Sequence, residues 1–263
     1  MIIIGEKLNG AIPSVKQIID ERDEAAIRAL ARAQKEAGAD YLDVCAGTDP
    51  GRESAVLRWM LEIIQDEVDT PICIDSPDPD VLTAILPEIK RAGIVNSVSG
   101  EGCKCGIIYP LIADSEWKVI ALTCDDRGVP GDAETRVGIG SFLIEEAAKH
   151  GIGQNRIFID PLVLTLSAVN NAMIDFMEAV RRLRALYPSV HFTSGLSNIS
   201  YGMPRRKLIN RNFLAYALMA GMDSAIVDPT DKEIYATILA AEVLLGKDKH
   251  CRAYNTAYRK GRI

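Results

Sequence analysis

The sequence predicts an α/β protein built as a (β/α)8 TIM barrel. Eight short runs rich in β-branched residues recur along 263 residues, and each is followed by a longer amphipathic segment. The runs are nearly all apolar and no tight hairpin turn joins them, which implies parallel pairing with both faces of the sheet covered. Eight such units in a chain of this length suit a closed barrel, whereas a doubly wound sheet more often stops at about five or six strands.

In chain order the runs are Ile2 to Ile4, Tyr41 to Val44, Pro71 to Ile74, Gly93 to Val95, Lys118 to Leu122, Arg156 to Ile159, Val190 to Thr193 and Ser224 to Val227. The first unit carries a small extra helical turn near Pro13 to Asp20. Asp23 caps the next helix, with Ile27, Leu30 and Ala31 on one face and Gly38 just past its end. Asp231 caps another, where Ile234, Ile238, Ala241 and Leu245 line up before Gly246. No linker, low-complexity tract or short repeat interrupts the alternation, so residues 1–263 read as one domain.

Composition narrows the function. A formal charge of −6 argues against a nucleic-acid surface, which needs a basic face to neutralise phosphates. The apolar start Met1 to Ile4 is too short for a signal-peptide core and has no basic flank, and no later stretch approaches a membrane span. Six dispersed cysteines in a chain this long read as reduced thiols, so a cytoplasmic protein is expected.

The functional signal sits where the runs end. Their C-terminal residues are read as Glu6, Asp43, Asp75, Asn96, Asp125, Asp160, Asn198 and Asp228, and in a barrel these ends converge on the face where active sites are built. Singly, each serves as well for a cap or turn, as Asp160-Pro161 and Asp228-Pro229 illustrate. Together, several acids facing one mouth repel unless something with hydrogen-bond donors joins them.

Metal is not expected, because His150, His191 and His250 fall at a helix end, a strand start and the tail. Cys103 and Cys105 have no second pair at zinc-site spacing, while Cys45, Cys73 and Cys124 read as small core fillers. No Gly-x-Ser-x-Gly elbow is present, and Gly138-Ile139-Gly140 lies inside a helical segment rather than in a dinucleotide loop. What remains is a neutral heterocycle rich in donors. A pterin offers an amino group and a ring N–H along one edge, a fork that a carboxylate accepts and an Asn complements.

The residues Gly5-Glu6-Lys7-Leu8-Asn9, Leu42-Asp43-Val44, Ile74-Asp75-Ser76, Val95-Asn96-Ser97, Ile159-Asp160-Pro161-Leu162, Gly195 to Ser200, and Leu208-Ile209-Asn210-Arg211 with Phe213-Leu214-Ala215 follow one another in a familiar order. The chain resembles the methyltetrahydrofolate:corrinoid/iron-sulfur protein methyltransferases, relatives of the folate half of cobalamin-dependent methionine synthase and, more remotely, of dihydropteroate synthase. The resemblance implies a pterin-binding barrel that moves a methyl group, in either direction, between N5 of tetrahydrofolate and a corrinoid carried by a partner protein. It implies that Asp75, Asn96 and Asp160 hydrogen-bond the pterin ring, that Asn198 approaches N5, and that Gly195 lets the backbone pass close to the ring. Tetrahydrofolate and 5-methyltetrahydrofolate are then substrates, no metal is bound by the chain itself, and a homodimer is expected.

Displacing a methyl from a tertiary amine is slow unless N5 gains a proton or a strong hydrogen bond as its bond breaks. Asn198 is the expected donor, and cob(I)alamin supplies the nucleophile, so no nucleophilic side chain is needed. Arg206 is placed toward the folate tail or the corrinoid, flanked by Arg205 and Lys207 in what also reads as a solvated basic patch. Glu6, Asn9, Asp43 and Asp228 are expected as supports behind the contact residues. Two positions depart from the pattern: Cys45 stands where relatives carry Asn, and Lys7 where Arg is commoner. Two rival readings share the pocket. A dihydropteroate synthase would be expected to show a lysine near the seventh strand, where this chain has Asn198, and a non-catalytic folate-binding protein would keep the ring contacts without methyl transfer.

Overall fold

A computed structural model describes residues 1–263. The elements run β1 (Ile2–Asn9), α1 (Pro13–Asp20), α2 (Glu24–Ala37), β2 (Tyr41–Cys45), α3 (Pro50–Glu67), β3 (Ile72–Asp75), α4 (Pro79–Ile85), β4 (Ile94–Gly100), α5 (Lys104–Ile112), β5 (Lys118–Asp125), α6 (Ala133–Lys149), β6 (Ile157–Asp160), α7 (Ala172–Leu186), β7 (His191–Phe192), α8 (Arg206–Ala220), β8 (Ser224–Val227), α9 (Lys232–Leu244) and α10 (Arg252–Arg259). All the strand pairs are parallel, in the order β7-β6-β5-β4-β3-β2-β1-β8. The ring closes where Asp223 N–H donates to Phe192 O at 3.2 Å and Ile226 N–H donates to Ser194 O at 3.0 Å.

Local sequence explains the helix ends. The side chains of Asp23, Asp78, Asp132 and Asp231 each accept a backbone N–H at the start of α2, α4, α6 and α9, and Gly38 and Gly221 take left-handed φ at the ends of α2 and α8. No helix is long and apolar enough to cross a membrane. All six cysteines are free thiols.

Two apolar bodies hold the barrel. Most of the core lies between the outer face of the sheet and the helices, in a cluster of 61 buried residues. Inside, Ile4, Cys73, Ile94, Ile120 and Phe158 form a plug. Strand side chains alternate faces, so the residue two positions beyond a plug residue points into the barrel one layer higher. That rule carries Ile4 to Glu6, Cys73 to Asp75, Ile94 to Asn96, Ile120 to Leu122 and Phe158 to Asp160, and it makes the polar layer a direct consequence of the plug.

Several ends differ from the sequence expectation. Strand β1 runs past Glu6 to Asn9, β2 past Asp43 to Cys45, and β4 past Asn96 to Gly100. Neighbouring strands keep pairing there, with Cys45 opposite Asp75 and Asp75 opposite Asn96, so these polar residues lie within the ladder. Strand β7 is two residues long, and Asn198 sits beyond it in a 3-10 turn, Leu196–Ser200. No helix begins at Asp160-Pro161; Asp160 accepts the Leu162 N–H at 2.8 Å, Leu162 takes a left-handed φ of 58°, and an irregular segment runs to α7.

Gly93 precedes β4 where its backbone crosses β3 closely. A Cβ there would lie 1.9 Å from Ile72 O, so any side chain must push the two strands apart. Gly93→Ala is expected to cost about 3 kcal/mol in chemical denaturation; a variant as stable as the parent would show that β3 and β4 tolerate the separation.

Candidate active site

The C-terminal mouth of the barrel holds a cavity of about 690 Å³, within the range of small-molecule sites. Its lining brings together Glu6, Asn9, Asp43, Asp75, Asn96, Asp160, Gly195 and Asn198. Of the residues read from the sequence, Asp125, Asp228 and Arg206 are absent from that wall. Asp125 turns outward to Arg127 at 2.7 Å. Asp228 lines a smaller adjoining cavity, pairs with Lys7 at 3.5 Å and accepts the N–H of Thr230. Other cavities open at the opposite end of the barrel, and in one of about 380 Å³ Lys35 and Asp69 are already paired at 2.6 Å.

Electrostatics distinguishes the mouth. Glu6, Asp43, Asp75, Glu101 and Asp160 line it against one cation, Lys104, and that lysine is bound to Glu101 at 2.8 Å. Lys104 and Ser99 hold Glu101 below the usual carboxylate range, whereas the other four carboxyls, without such a partner, keep their protons more tightly than usual. Burial, with the charge of Glu53 added, pushes Asp75 up to about 6 even though the Cys45 thiol beside it opposes the shift. Burial likewise raises Asp160 to about 6 against the backbone amides of Leu162 and Gly195 and the Arg136 charge. Burial and the neighbouring Asp75 push Asp43 well above the carboxylate range.

The hydrogen bonds show which valences the protein has left free. Asn96 Nδ2 donates to Asp43 Oδ1 at 3.2 Å, so the wholly buried Asp43 fixes the amide and leaves the Asn96 oxygen toward the cavity. Asn9 Oδ1 accepts the N–H of Ala11 at 2.9 Å, while its side chain also reaches Asp43. Asp160 accepts a protein hydrogen bond from Leu162 on one oxygen. Cys45 occupies the neighbouring rung to Asp75 as a neutral thiol, since burial and two adjacent carboxylates drive its ionisation far up.

Asn198 lies on an exposed turn and its side chain makes no hydrogen bond within the protein. A Cβ at Gly195 would come 3.0 Å from its Nδ2, so the glycine provides the floor on which the amide rests. Arg206 anchors this turn: it donates to Ser197 O at 2.8 Å and to Ser200 Oγ at 3.1 Å, with Tyr201 beneath the guanidinium at 5.8 Å. The segment after β6 grips the same turn, through Leu166 N–H to Ile199 O at 3.0 Å and Thr165 Oγ1 to Tyr201 O at 2.7 Å.

Arg136 is a residue the sequence reading did not find. It is fully buried on α6, donates to Pro130 O at 3.1 and 2.9 Å, leaves Nη1 without a partner, and lends Asp160 its positive field. Its signal was an arginine in the stripe Ala133, Val137, Gly140, Ile144 that faces the barrel, where a charge needs a reason to be.

A pterin ring, donor-rich along one edge, matches the free acceptors of Asp75, Asn96 and Asp160. A sequence profile described as pterin binding enzyme matches residues 13–228. The chain belongs to the pterin-binding enzyme family. It is 52% identical over 265 residues to the methylcorrinoid:tetrahydrofolate methyltransferase of Eubacterium limosum, covering 100% of this chain and 98% of that protein. Methionine synthases of Mycobacterium leprae and Mycobacterium tuberculosis are 29% and 30% identical over 86% of the chain, which spans 20% of their length. Among solved structures, dihydropteroate synthase of Xanthomonas albilineans with 7,8-dihydropteroate superposes at a TM-score of 0.66, covering 94% of this chain and 93% of that one. Its 19% identity speaks for the fold alone.

In this pterin-binding barrel the raised carboxyls cost stability. A folded-state value of about 6 for Asp160 means that the folded chain holds the proton more tightly than the unfolded chain. The cost is absent below the ordinary carboxylate range and complete above about 6. Asp160→Asn is therefore expected to stabilise the protein at pH 8 by on the order of 2 kcal/mol, and the gain should vanish by about pH 4. Equal stability of variant and parent at pH 8 in denaturant titrations would show that the carboxylate carries no such cost.

Proposed function

We propose that this chain transfers a methyl group between N5 of tetrahydrofolate and the cobalt of a corrinoid held by another protein. Asn198 carries the reading: an amide without an internal partner stands on Gly195 at the open edge of an acid-lined cavity. The full-length likeness to a methylcorrinoid:tetrahydrofolate methyltransferase supports it and favours the corrinoid as methyl donor in the cell.

Asp75, Asn96 and Asp160 hold the pterin edge, with Asp43 and Asn9 fixing Asn96 from behind. This leaves N5 toward Asn198, whose amide donates a hydrogen bond to the nitrogen as its bond to carbon forms or breaks. The ring contacts come from strands and the reactive contact from a turn on the open side, so a corrinoid can approach the methyl along the barrel axis. When bound above the mouth, the corrinoid supplies the cobalt that accepts or donates the methyl. Arg206 acts by holding the turn, through Nε to Ser200 and Nη2 to Ser197. The protein works as a homodimer in the cytoplasm, with one folate site per barrel.

A dihydropteroate synthase activity is less well served. That reading expects a lysine beyond β7, and the one lysine in the cavity wall, Lys104, is paired with Glu101 on the β4 side.

The test is anaerobic spectroscopy of methyl transfer between methyltetrahydrofolate and free cob(I)alamin, beside folate binding. The parent protein should consume the Co(I) band. Asn198→Ala should slow it by about 100-fold with folate still bound, and Asp160→Asn should lose folate affinity while remaining folded. A parent protein that binds folate but transfers no methyl, to free cobalamin or from a methylated corrinoid protein, would refute the assignment.

A further inference from the structure

The transfer needs a proton at N5 in one direction and must dispose of it in the other. Asn198 can donate a hydrogen bond, but an amide does not release its proton near neutrality. Asp75 and Asp160 face the ring edge, and Asp43 is sealed behind Asn96. The remaining carboxyl deep in the barrel is Glu6. It accepts no hydrogen bond and joins no ion pair, although three cations lie nearby. Lys7 is paired with Asp228 at 3.5 Å, Lys207 with Asp231 at 2.9 Å, and Arg206 is bound to Ser197 and Ser200.

Its position is particular. Glu6 lines both the mouth cavity and a second cavity of about 140 Å³, and these two share Ser197, the residue before Asn198. The second cavity is walled by Asp228, Asp231, Lys207 and Asn210, whose Oδ1 is buried without a donor. A space of that size and polarity accommodates water, which provides a route between Glu6 and the surface.

We propose that Glu6 is the proton carrier of the site, exchanging a proton with N5 beside Asn198 and with water through the adjoining cavity. The inference rests on the methyltransferase reading above. When folate is demethylated, the N5–C bond breaks and its electron pair stays on nitrogen. Cobalt(I) supplies the pair for the new Co–C bond, and N5 takes the proton of Glu6, which regains one from water. When folate is methylated, the N5 lone pair attacks the methyl carbon and the Co–C pair returns to cobalt. N5 then passes its proton to the Glu6 carboxylate.

Electrostatics agrees with that role. Burial, with the Asp228 charge added, pushes Glu6 up to about 7, and Lys7 and Arg206 only partly oppose the shift. Lys207 and Asp231 face the same carboxyl across the small cavity, and Asp75 faces it across the mouth. A carrier balanced near neutrality serves both directions.

The experiment compares the parent protein with Glu6→Gln and Glu6→Asp in single-turnover methyl transfer as a function of pH, in both directions. In the parent, demethylation of folate should slow as pH rises through about 7, because the acid is lost. Methylation should slow as pH falls through the same point, because the base is lost. Glu6→Gln should slow both by about 100-fold and remove both limbs, with folate affinity within about threefold, and Glu6→Asp should restore part of the rate. A second readout needs no corrinoid. The infrared carboxyl C=O band near neutral pH, present in the parent and absent in Glu6→Gln, should titrate at about 7. Unchanged pH limbs in an active Glu6→Gln, or a Glu6→Gln that fails only because folate no longer binds, would overturn the inference alone. A parent protein without methyl transfer would overturn the reading beneath it as well.

Discussion

Four carboxyl groups, Glu6, Asp43, Asp75 and Asp160, share the interior of a closed barrel without a cation of their own. Taking such groups out of water costs free energy unless donors meet them, and the protein supplies few: the Leu162 and Gly195 amides at Asp160, the Asn96 amide at Asp43, and a thiol at Asp75. The rest of the site follows from that shortage. The acids hold protons to higher pH, their free oxygens point into one cavity, and the ligand that relieves them must bring N–H groups and little negative charge to the inner end. A pterin ring meets the requirement, and a phosphate or a simple carboxylic acid does not.

The barrel divides labour between rigid and adjustable parts. The side chains proposed to hold the ring come from β3, β4 and β6, fixed one layer above the plug of Ile4, Cys73, Ile94, Ile120 and Phe158. The amide proposed for the chemistry sits instead on the turn after β7, whose shape depends on Arg206, Gly195 and the segment after β6. Recognition is thus built into the sheet, while the reactive contact stands at the rim where a second macromolecule must arrive. Arg136 supports the sheet from outside, tying the segment before α6 to the electrostatics of Asp160.

Much of this was legible in the chain because barrels obey simple periodicities. Eight apolar runs separated by capped amphipathic segments gave the topology, and polar residues closing those runs marked the mouth. The order of short motifs pointed to the family. What the runs concealed was direction. Asp125 ends its strand as Asp75 and Asp160 end theirs, yet it faces outward because Ile120, Leu122 and Cys124 take the inward positions of β5 and leave Asp125 on the other face. Arg136 was hidden because a helix stripe is read for apolar residues, and a buried arginine is recognised only once Pro130 O is seen beside it. Glu6 was read as a support, since its isolation from Lys7, Arg206 and Lys207 arises from pairings that only the folded chain displays.

The acid-lined mouth is proposed to recognise the donor edge of a reduced pterin and to leave N5 beside Asn198. A crystal structure of the protein with tetrahydrofolate tests it most directly. The Asp75, Asn96 and Asp160 side chains should lie within hydrogen-bond distance of the ring nitrogens, with N5 nearest to Asn198 and Glu6. A ring bound with N5 turned toward Asp75, or folate seated outside the mouth, would contradict it.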